Sequence, residues 1–351
     1  MKVIFCGGGT AGHIMPALSI AEILRKKYDA EILFVGREGG EENKPVISGN
    51  YTLKTLKISG LKRSLSVKNI KTLSLILKAN SEAKKILLSY KPDIVIGTGG
   101  YVSWPIMRYA QKLKIPTVIH ESNATAGLVN RILAPKCNKV LVNFPDSEKE
   151  FNKNCNVRVV GNPVREDFLN ANRFSSRKKL GIDKNTFLIL SLGGSGGSEK
   201  MNNVLTELMK NYSQKKANIK HIHSCGRKYY NSLSEKYPEF INGNSGCTIK
   251  PYIEDMPTML SAADVVISRC GAVTLSEICA VGVASILVPS PNVTNNHQLK
   301  NALHISKNGA AVVIEEKNLS TQLLEEEIEK LRNNPNLRKN MQSNIKKHFS
   351  K

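Results

Sequence analysis

Glycine, histidine and small hydroxyl residues gather at a few points of this chain, and the first is GGGTAGH, Gly7 to His13. Glycines this close together let a backbone turn tightly and bring its N–H groups against a phosphate or a sugar with no Cβ in the way. Gly7, Gly9 and Gly12 keep the spacing of a dinucleotide-binding turn. The next strand-like run, however, ends in Val35–Gly36–Arg37 and not in the acid that would hold a nicotinamide dinucleotide's ribose. His13 closes the turn, where an imidazole could accept a proton from a hydroxyl or merely hydrogen-bond the loop. GTGGYVSWP (Gly97–Pro105) and HESNATAG (His120–Gly127) follow two further strand-like runs. Glu121 and Asn123 offer a carboxylate and an amide suited to sugar hydroxyls, with loop closure and helix capping as the other uses of such side chains. Glu121 is the second candidate for a base, after His13.

A second group of motifs lies further along. LGGSGGSEKMN (Leu192–Asn202) could hold a diphosphate on its N–H groups and the Ser195 hydroxyl, and it equally suits a plain strand-to-helix turn. SRCGAVTLSE (Ser268–Glu277) reads as strand, turn and helix. Glu277 falls in the first turns of that helix, from which a carboxylate can take two ribose hydroxyls or simply complement the helix dipole. VPSPNVTNNHQLKNA (Val288–Ala302) is a polar loop whose His297 and Gln298 could read hydroxyls or face solvent. No DxD-like pair stands at a strand end, so no metal site is expected.

The elements that must position these residues alternate through almost the whole chain. Val3–Phe5, Ile32–Val35, Ile94–Ile96, Thr117–Ile119 and Val140–Val142 read as buried parallel strands, with a helix over Pro16–Lys27 on the Leu18, Ala21, Leu24 spacing. The pattern restarts at Phe187–Leu192 and continues through Val265–Ile267 and Ser285–Val288. Strands alternating with helices imply doubly wound parallel sheets of the α/β class. Both halves begin with a strand, a glycine-rich turn and a helix, and GNPVR (Gly161–Arg165) stands between them, where Asn-Pro stops regular structure. The expected domains are 1–160 and 161–351, two Rossmann-like sheets facing across a cleft. Thr321 to Lys351 reads as two helices broken near Asn334–Pro335.

The charge balance narrows the partners. With 51 Lys plus Arg against 29 Asp plus Glu, the net charge is +22, which favours nucleic acid, phosphate-bearing substrates or acidic lipid. Nucleic-acid binding calls for basic residues interleaved with aromatics, yet aromatics are 6% and no such motif is present. Seven scattered cysteines without CxxC spacing point to a reducing compartment and not to a disulfide framework or structural zinc. No run is apolar enough for a signal peptide or a membrane span, so a cytoplasmic protein is expected.

Taken together, the motifs resemble the MurG glycosyltransferases. The resemblance runs from Gly7 to about Ala311 through GGGTAGH, GTGGYVS, HESNATAG, GNPVR, the GGS turn, YIEDM (Tyr252–Met256), SRCGAVTLSE and HQLKNA, eight motifs in order. It implies a GT-B fold whose first domain serves the acceptor and whose second binds UDP-N-acetylglucosamine, with the final helix able to pack back on the first. It implies inverting, metal-independent transfer of N-acetylglucosamine to the 4-hydroxyl of MurNAc in undecaprenyl-pyrophosphoryl-MurNAc-pentapeptide, without a cofactor. Matched motif by motif, Thr10, Ala11 and Gly12 approach the donor sugar and diphosphate, and Asn123 lies beside the sugar. Arg165 and Ser195 match donor-binding positions, and Ile253 presents backbone to uracil. Ala272, Val273, Thr274, Leu275, Ser276 and Glu277 line sugar, phosphates and ribose, with Glu277 on the ribose and Gln298 on the sugar hydroxyls. His13 matches the group that activates the acceptor. The chain departs from the family pattern at Ala11, Gly196 and His297. The same donor motifs would also suit a diacylglycerol glycosyltransferase or a UDP-N-acetylglucosamine 2-epimerase. A basic nucleic-acid-binding protein is the alternative from another class. Protein partners are not legible.

An acceptor on a polyprenyl chain stays in the bilayer, so the resemblance also implies a peripheral enzyme at the cytoplasmic face of the cell membrane. From Leu61 to Pro92, eight basic residues accompany one acid, and Val67, Ile70, Leu73 and Leu77 fall at helical spacing. Lys68 and Lys71 with Ile70, Leu73 and Leu77 are the expected contact with anionic lipid. A surface helix burying its stripe in the core is the other reading.

Overall fold

The computed structural model describes residues 1–9, 11–40, 43–60, 68–194, 196–215, 218–243 and 245–349, with the side chains of 11 and 68–74 outside that set. Contacts divide the chain into two compact units, Met1–Pro163 and Val164–Lys351.

Unit 1 opens with β1 (Lys2–Gly7), α1 (Ala11–Tyr28), β2 (Glu31–Arg37), α2 (Lys44–Ser48), β3 (Thr52–Leu56) and α3 (Lys68–Tyr90). It continues with β4 (Ile94–Gly99), α4 (Ser103–Lys112), β5 (Thr117–Glu121), α5 (Leu128–Leu133), β6 (Lys139–Val142) and β7 (Val157–Val159). Its seven strands are ordered β3-β2-β1-β4-β5-β6-β7, every pair parallel. β1, third in that order, has five consecutive buried residues whose side chains alternate between two core clusters, as an interior parallel strand covered on both faces requires.

Unit 2 begins with α6 (Glu166–Asn170) and α7 (Arg173–Lys179) before β8 (Phe187–Leu192), α8 (Glu199–Gln214), β9 (Ile219–Ser224), α9 (Arg227–Lys236) and β10 (Cys247–Lys250). Then come α10 (Met256–Ala262), β11 (Val265–Ser268), α11 (Ala272–Val281), β12 (Ala284–Leu287), α12 (His297–Ile305), β13 (Val312–Val313), α13 (Thr321–Asn333) and α14 (Pro335–Lys346). Six parallel strands run β10-β9-β8-β11-β12-β13. Asn334, between the last two helices, caps α14 by accepting from Leu337 N. The final helix lies against β12, α11 and α13 of unit 2 and buries Met341 and Ile345.

In both sheets the strand order reverses beside the first strand, between β1 and β4 and between β8 and β11. At such a switch point the connections leave to opposite faces and open a crevice outside the carboxyl ends of the strands. GGGTAGH and GTGGYVS end β1 and β4, and LGGSGGS and SRCGAVT end β8 and β11. The fold thus gathers the glycine motifs at the two places where a doubly wound sheet accepts ligands.

Candidate functional site

The first helix begins at Ala11, five residues before the expected start at Pro16. Gly12 and His13 therefore belong to its first turn, and Pro16 stands inside it, with no N–H to give the Gly12 carbonyl. His13 Nδ1 lies 3.0 Å from the Thr98 carbonyl at the end of β4. A carbonyl only accepts, so Nδ1 carries the proton and a neutral ring keeps its lone pair on Nε2. The two glycine turns interlock around this ring. Gly99 and Gly100 have φ of +102° and +78°. A Cβ on Gly99 would stand 3.0 Å from His13 Nδ1, and one on Gly100 would stand 2.1 Å from the Gly8 carbonyl. The β1–β4 register slips at the same place, between Cys6 and Gly7. Thr10 and the Ala11 side chain lie outside the described residues.

Glu121 does not have the surroundings of a base. It is 2% exposed. Its Oε1 accepts from Asn123 N at 3.0 Å and Asn123 Nδ2 at 3.4 Å. Oε2 accepts from Gly127 N at 2.9 Å and Asn130 Nδ2 at 2.8 Å. With four donors on its two oxygens, this carboxylate frames the loop that carries Asn123. The reading of Glu121 as a second candidate base is corrected on that ground. Asn123 itself stays partly exposed, with Ser147 Oγ donating to its carbonyl at 3.0 Å.

In unit 2, α11 follows β11 through Arg269–Cys270–Gly271. Gly271 is its N-cap, no side chain caps the helix, and a Cβ on Gly271 would meet nothing within 4 Å. The N–H groups of Ala272, Val273 and Thr274 have no hydrogen-bond partner among the described residues, and the positive end of the helix dipole lies behind them. Val273, Thr274 and Glu277 are partly exposed. Leu275 and Ser276 are not available as expected: Leu275 is fully buried with its N–H bonded to the Gly271 carbonyl. Ser276 is buried with its hydroxyl donating to the Ala272 carbonyl at 2.9 Å. Ala272 is also buried and can offer only its N–H.

Burial pushes the Glu277 carboxyl up to about 7, against the lowering field of Arg165. Arg165 is the N-cap of α6, which packs on α11, and its guanidinium lies over the Phe168 ring. Gln298 stands in the first turn of α12, and its Oε1 accepts from Cys270 N at 3.1 Å and Ser290 N at 2.9 Å. Both bonds fix the amide so that its NH₂ is the end left for a ligand. Ile253 is 3% exposed, and its backbone N–H and C=O have no hydrogen-bond partner among the described residues. Arg269 is committed elsewhere, to Glu316, Ser198 and the Val288 carbonyl.

Ser195 lies outside the described residues. Gly196 is open, and a Cβ there would meet nothing within 4 Å. His297 is tied to its own loop, its Nδ1 2.9 Å from the Thr294 carbonyl. A groove of about 480 Å³ near the end of β12 is lined by Lys200, Pro289, Asn296, Leu299 and Glu316. A second, of about 570 Å³, opens beside Arg165, Asn172, Lys179, Glu254 and Thr258. The second touches Arg165 but not Glu277, so the chemistry of the motifs and not the size of a groove identifies the candidate site. Among the described residues no three His, Cys, Asp or Glu side chains group as a metal site. Sequence reasoning passed over Asn130 and Asn301; the latter donates to the Cys270 carbonyl at 3.2 Å.

Comparison with known proteins is consistent across the chain. Residues 3–142 match the glycosyltransferase family 28 N-terminal domain and 188–351 the glycosyltransferase family 28 C-terminal domain. A UDP-N-acetylglucosamine--N-acetylmuramyl-(pentapeptide) pyrophosphoryl-undecaprenol N-acetylglucosamine transferase of Acetivibrio thermocellus is 43% identical over 99% of this chain and 93% of its own length. The transferase of the same name from Caldanaerobacter subterraneus is 44% identical over 99% of this chain and 95% of its own. The crystal structure of Acinetobacter baumannii MurG superposes with a TM-score of 0.76 at 28% identity, covering 99% of this chain and 95% of that one. A UDP-GlcNAc 2-epimerase from Neisseria meningitidis shares the fold, with a TM-score of 0.63 at 17% identity over 97% of this chain and 94% of its own. With both family 28 domains in order and relatives this similar over nearly its whole length, the chain belongs to the MurG family of glycosyltransferases.

Proposed function

We propose that the protein transfers N-acetylglucosamine from UDP-N-acetylglucosamine to the 4-hydroxyl of MurNAc in undecaprenyl-pyrophosphoryl-MurNAc-pentapeptide, with inversion, in peptidoglycan synthesis. The observation that carries this reading is 43% identity over 99% of the chain to a transferase named for that reaction. The local chemistry agrees. His13 Nε2 takes the proton of the 4-hydroxyl as its oxygen attacks the anomeric carbon. The bond from that carbon to the diphosphate breaks, and UDP leaves with the electron pair. The N-termini of α8 and α11 meet the charge that develops on UDP. Glu277 takes the ribose, the Ile253 backbone the uracil, and Arg165 adds positive potential. The Gln298 NH₂ and the Asn123 amide read the sugar. The test is UDP release from UDP-N-acetylglucosamine with and without a short-chain acceptor. UDP-glucose should turn over roughly tenfold to a hundredfold more slowly, because an unpaired polar group in a desolvated site costs about 1–3 kcal/mol. Equal turnover of both donors would sink the donor assignment.

The membrane contact is part of the same proposal. No helix among the described residues is long and apolar enough to cross a membrane. The side chains of Lys68, Ile70, Lys71 and Leu73 lie outside the described residues. Further along α3, Ala79, Ala83, Ile86 and Leu87 are buried, while Leu77 is 67% and Leu88 51% exposed. Leu77, Lys84 and Leu88 share one helix face by spacing, so apolar and basic groups stand together on the outer side. Leu128 and Ile132 on α5 are exposed as well, at 64% and 53%. Such a surface supports reversible binding at the cytoplasmic face of the cell membrane. Binding to anionic vesicles should weaken with salt and fall roughly fivefold or more in Leu77→Glu with Lys84→Glu, at about 1 kcal/mol per basic residue near the surface. Vesicle binding unchanged by both substitutions would remove this helix from the interface.

A further inference from the structure

Beneath the glycine turn of unit 2 lies a chain of buried polar side chains that the proposed reaction does not use. Ser191 on β8, His221 and His223 on β9 and Asn202 in the first turn of α8 are all at most 1% exposed. Ser191 Oγ is 2.8 Å from His221 Nε2 and 2.9 Å from His223 Nδ1. His223 Nε2 is 2.9 Å from Asn202 Oδ1, and Asn202 Nδ2 donates to the Cys225 carbonyl at 3.1 Å.

The protons in this chain run one way. The Cys225 carbonyl can only accept, which fixes the Asn202 amide with Oδ1 towards His223. His223 Nε2 must then donate, so its Nδ1 accepts, and the Ser191 hydroxyl donates to it. His221 Nε2 donates to Ser191 in turn, leaving His221 Nδ1 as a bare lone pair, and that atom has no partner among the described residues. The Ser191 carbonyl, 3.3 Å from His223 Nδ1, would become an acceptor only for a protonated ring. Burial holds both rings neutral, lowering His221 to about 3 and His223 to about 4. Four donor-to-acceptor steps therefore point from His221 to the Cys225 carbonyl, each polarising the next.

What this chain touches decides its use. Ser191 lies two residues before Gly193, where the turn begins, and Asn202 lies four after Ser198, where it ends. Gly193 N donates to the Ser224 carbonyl at 3.0 Å. The Cys225 carbonyl lies where a Cβ on Gly197 would come within 2.2 Å, and a Cβ on Gly226 would come within 2.6 Å of the Gly197 backbone. The network thus ties the entry of the glycine turn, its exit and the backbone it rests on. Backbone N–H groups stabilise a diphosphate only when held in place beforehand.

We propose that Ser191, His223 and Asn202, oriented by His221, are positioning residues for the donor diphosphate, presetting the Gly193–Ser198 turn without touching the substrate. This rests on the reading of that turn as the diphosphate site. The test compares dissociation constants of UDP and uridine, the nucleoside having no phosphate, for the wild type and Ser191→Ala. Ser191→Ala should weaken UDP at least about tenfold while uridine stays within about twofold. An unchanged UDP affinity, or equal losses for both ligands as from general loosening, would overturn the proposal. Should Ser191→Ala fail to fold, Asn202→Leu, similar in volume and cutting the chain at its other end, gives the same comparison. If the wild type binds uridine as tightly as UDP, the diphosphate reading of the turn itself fails, and this is distinguishable from failure of the network alone.

Discussion

Replacing His13 with alanine is expected to lower kcat about 10²–10⁴-fold while leaving the affinity for UDP within about threefold, the usual contribution of a positioned general base. The expectation comes from the tautomer. The Thr98 carbonyl accepts from Nδ1 at 3.0 Å, so the lone pair of a neutral ring is on Nε2, the nitrogen that must receive the acceptor's proton. The ring is held from behind as well, because Gly99 and Gly100 leave room for it that a side chain would fill. An acceptor hydroxyl loses its proton only as the new bond forms, so the interaction is made in the transition state and appears in kcat. Donor contacts persist from ground state to transition state and appear mainly in binding. Single-turnover rates and UDP titrations on His13→Ala separate the two. Normal turnover with poor UDP binding would make His13 a donor ligand. Glu121 would not inherit the role, since four donors already occupy its carboxylate.

The parts of the fold that the sequence makes visible are those whose cause is local. β1, β4, β8 and β11 are short, almost wholly apolar runs because they lie at the sheet centres, and each is followed by the glycines of a ligand turn. The edge strands β3 and β10 are only partly buried, and β13 has only two residues, so no apolar run marks them. The start of α1 is hidden because Pro16 reads as a first-turn residue, whereas the helix continues through it. Motif matching takes Ala272 to Glu277 as one segment but does not give its faces. Helical spacing separates them, with Val273, Thr274 and Glu277 outward and Leu275 and Ser276 inward. Ser191, His223 and Asn202 come from three elements and meet only when β8, β9 and α8 pack. Only the HIH alternation of β9, which sends His221 and His223 to one face, hints at that meeting.

Glu277→Ala should weaken UDP-N-acetylglucosamine binding at least a hundredfold, with the rate from the bound complex little changed. Two ribose hydroxyls on one carboxylate are two charge-assisted hydrogen bonds of about 1.5–3 kcal/mol each, remote from the reacting carbon. The pH dependence is the sharper measurement. Burial raises this carboxyl to about 7 in the free protein, Arg165 only partly opposing it. Near neutrality a good fraction of the protein therefore holds it protonated, and the hydroxyls of a ribose favour the ionised form. The sign follows: binding expels the proton, so affinity is full above pH 7 and falls as pH drops through 7. Between pH 8 and pH 6 the loss approaches about tenfold, the change in the ionised fraction across that range. The free protein shows the opposite trend in stability, which declines as pH rises from the ordinary carboxyl range towards 7, because the folded state holds the proton more tightly. UDP-N-acetylglucosamine is the proper probe, since its diphosphate is esterified at both ends and keeps its charge across this range, whereas the terminal phosphate of UDP does not. Calorimetry in buffers of different ionisation enthalpy should register proton release at pH 6.5 in the wild type and none in Glu277→Gln, whose affinity should be flat with pH. A pH-dependent affinity that survives in Glu277→Gln would assign the titration to another group and remove Glu277 from the ribose.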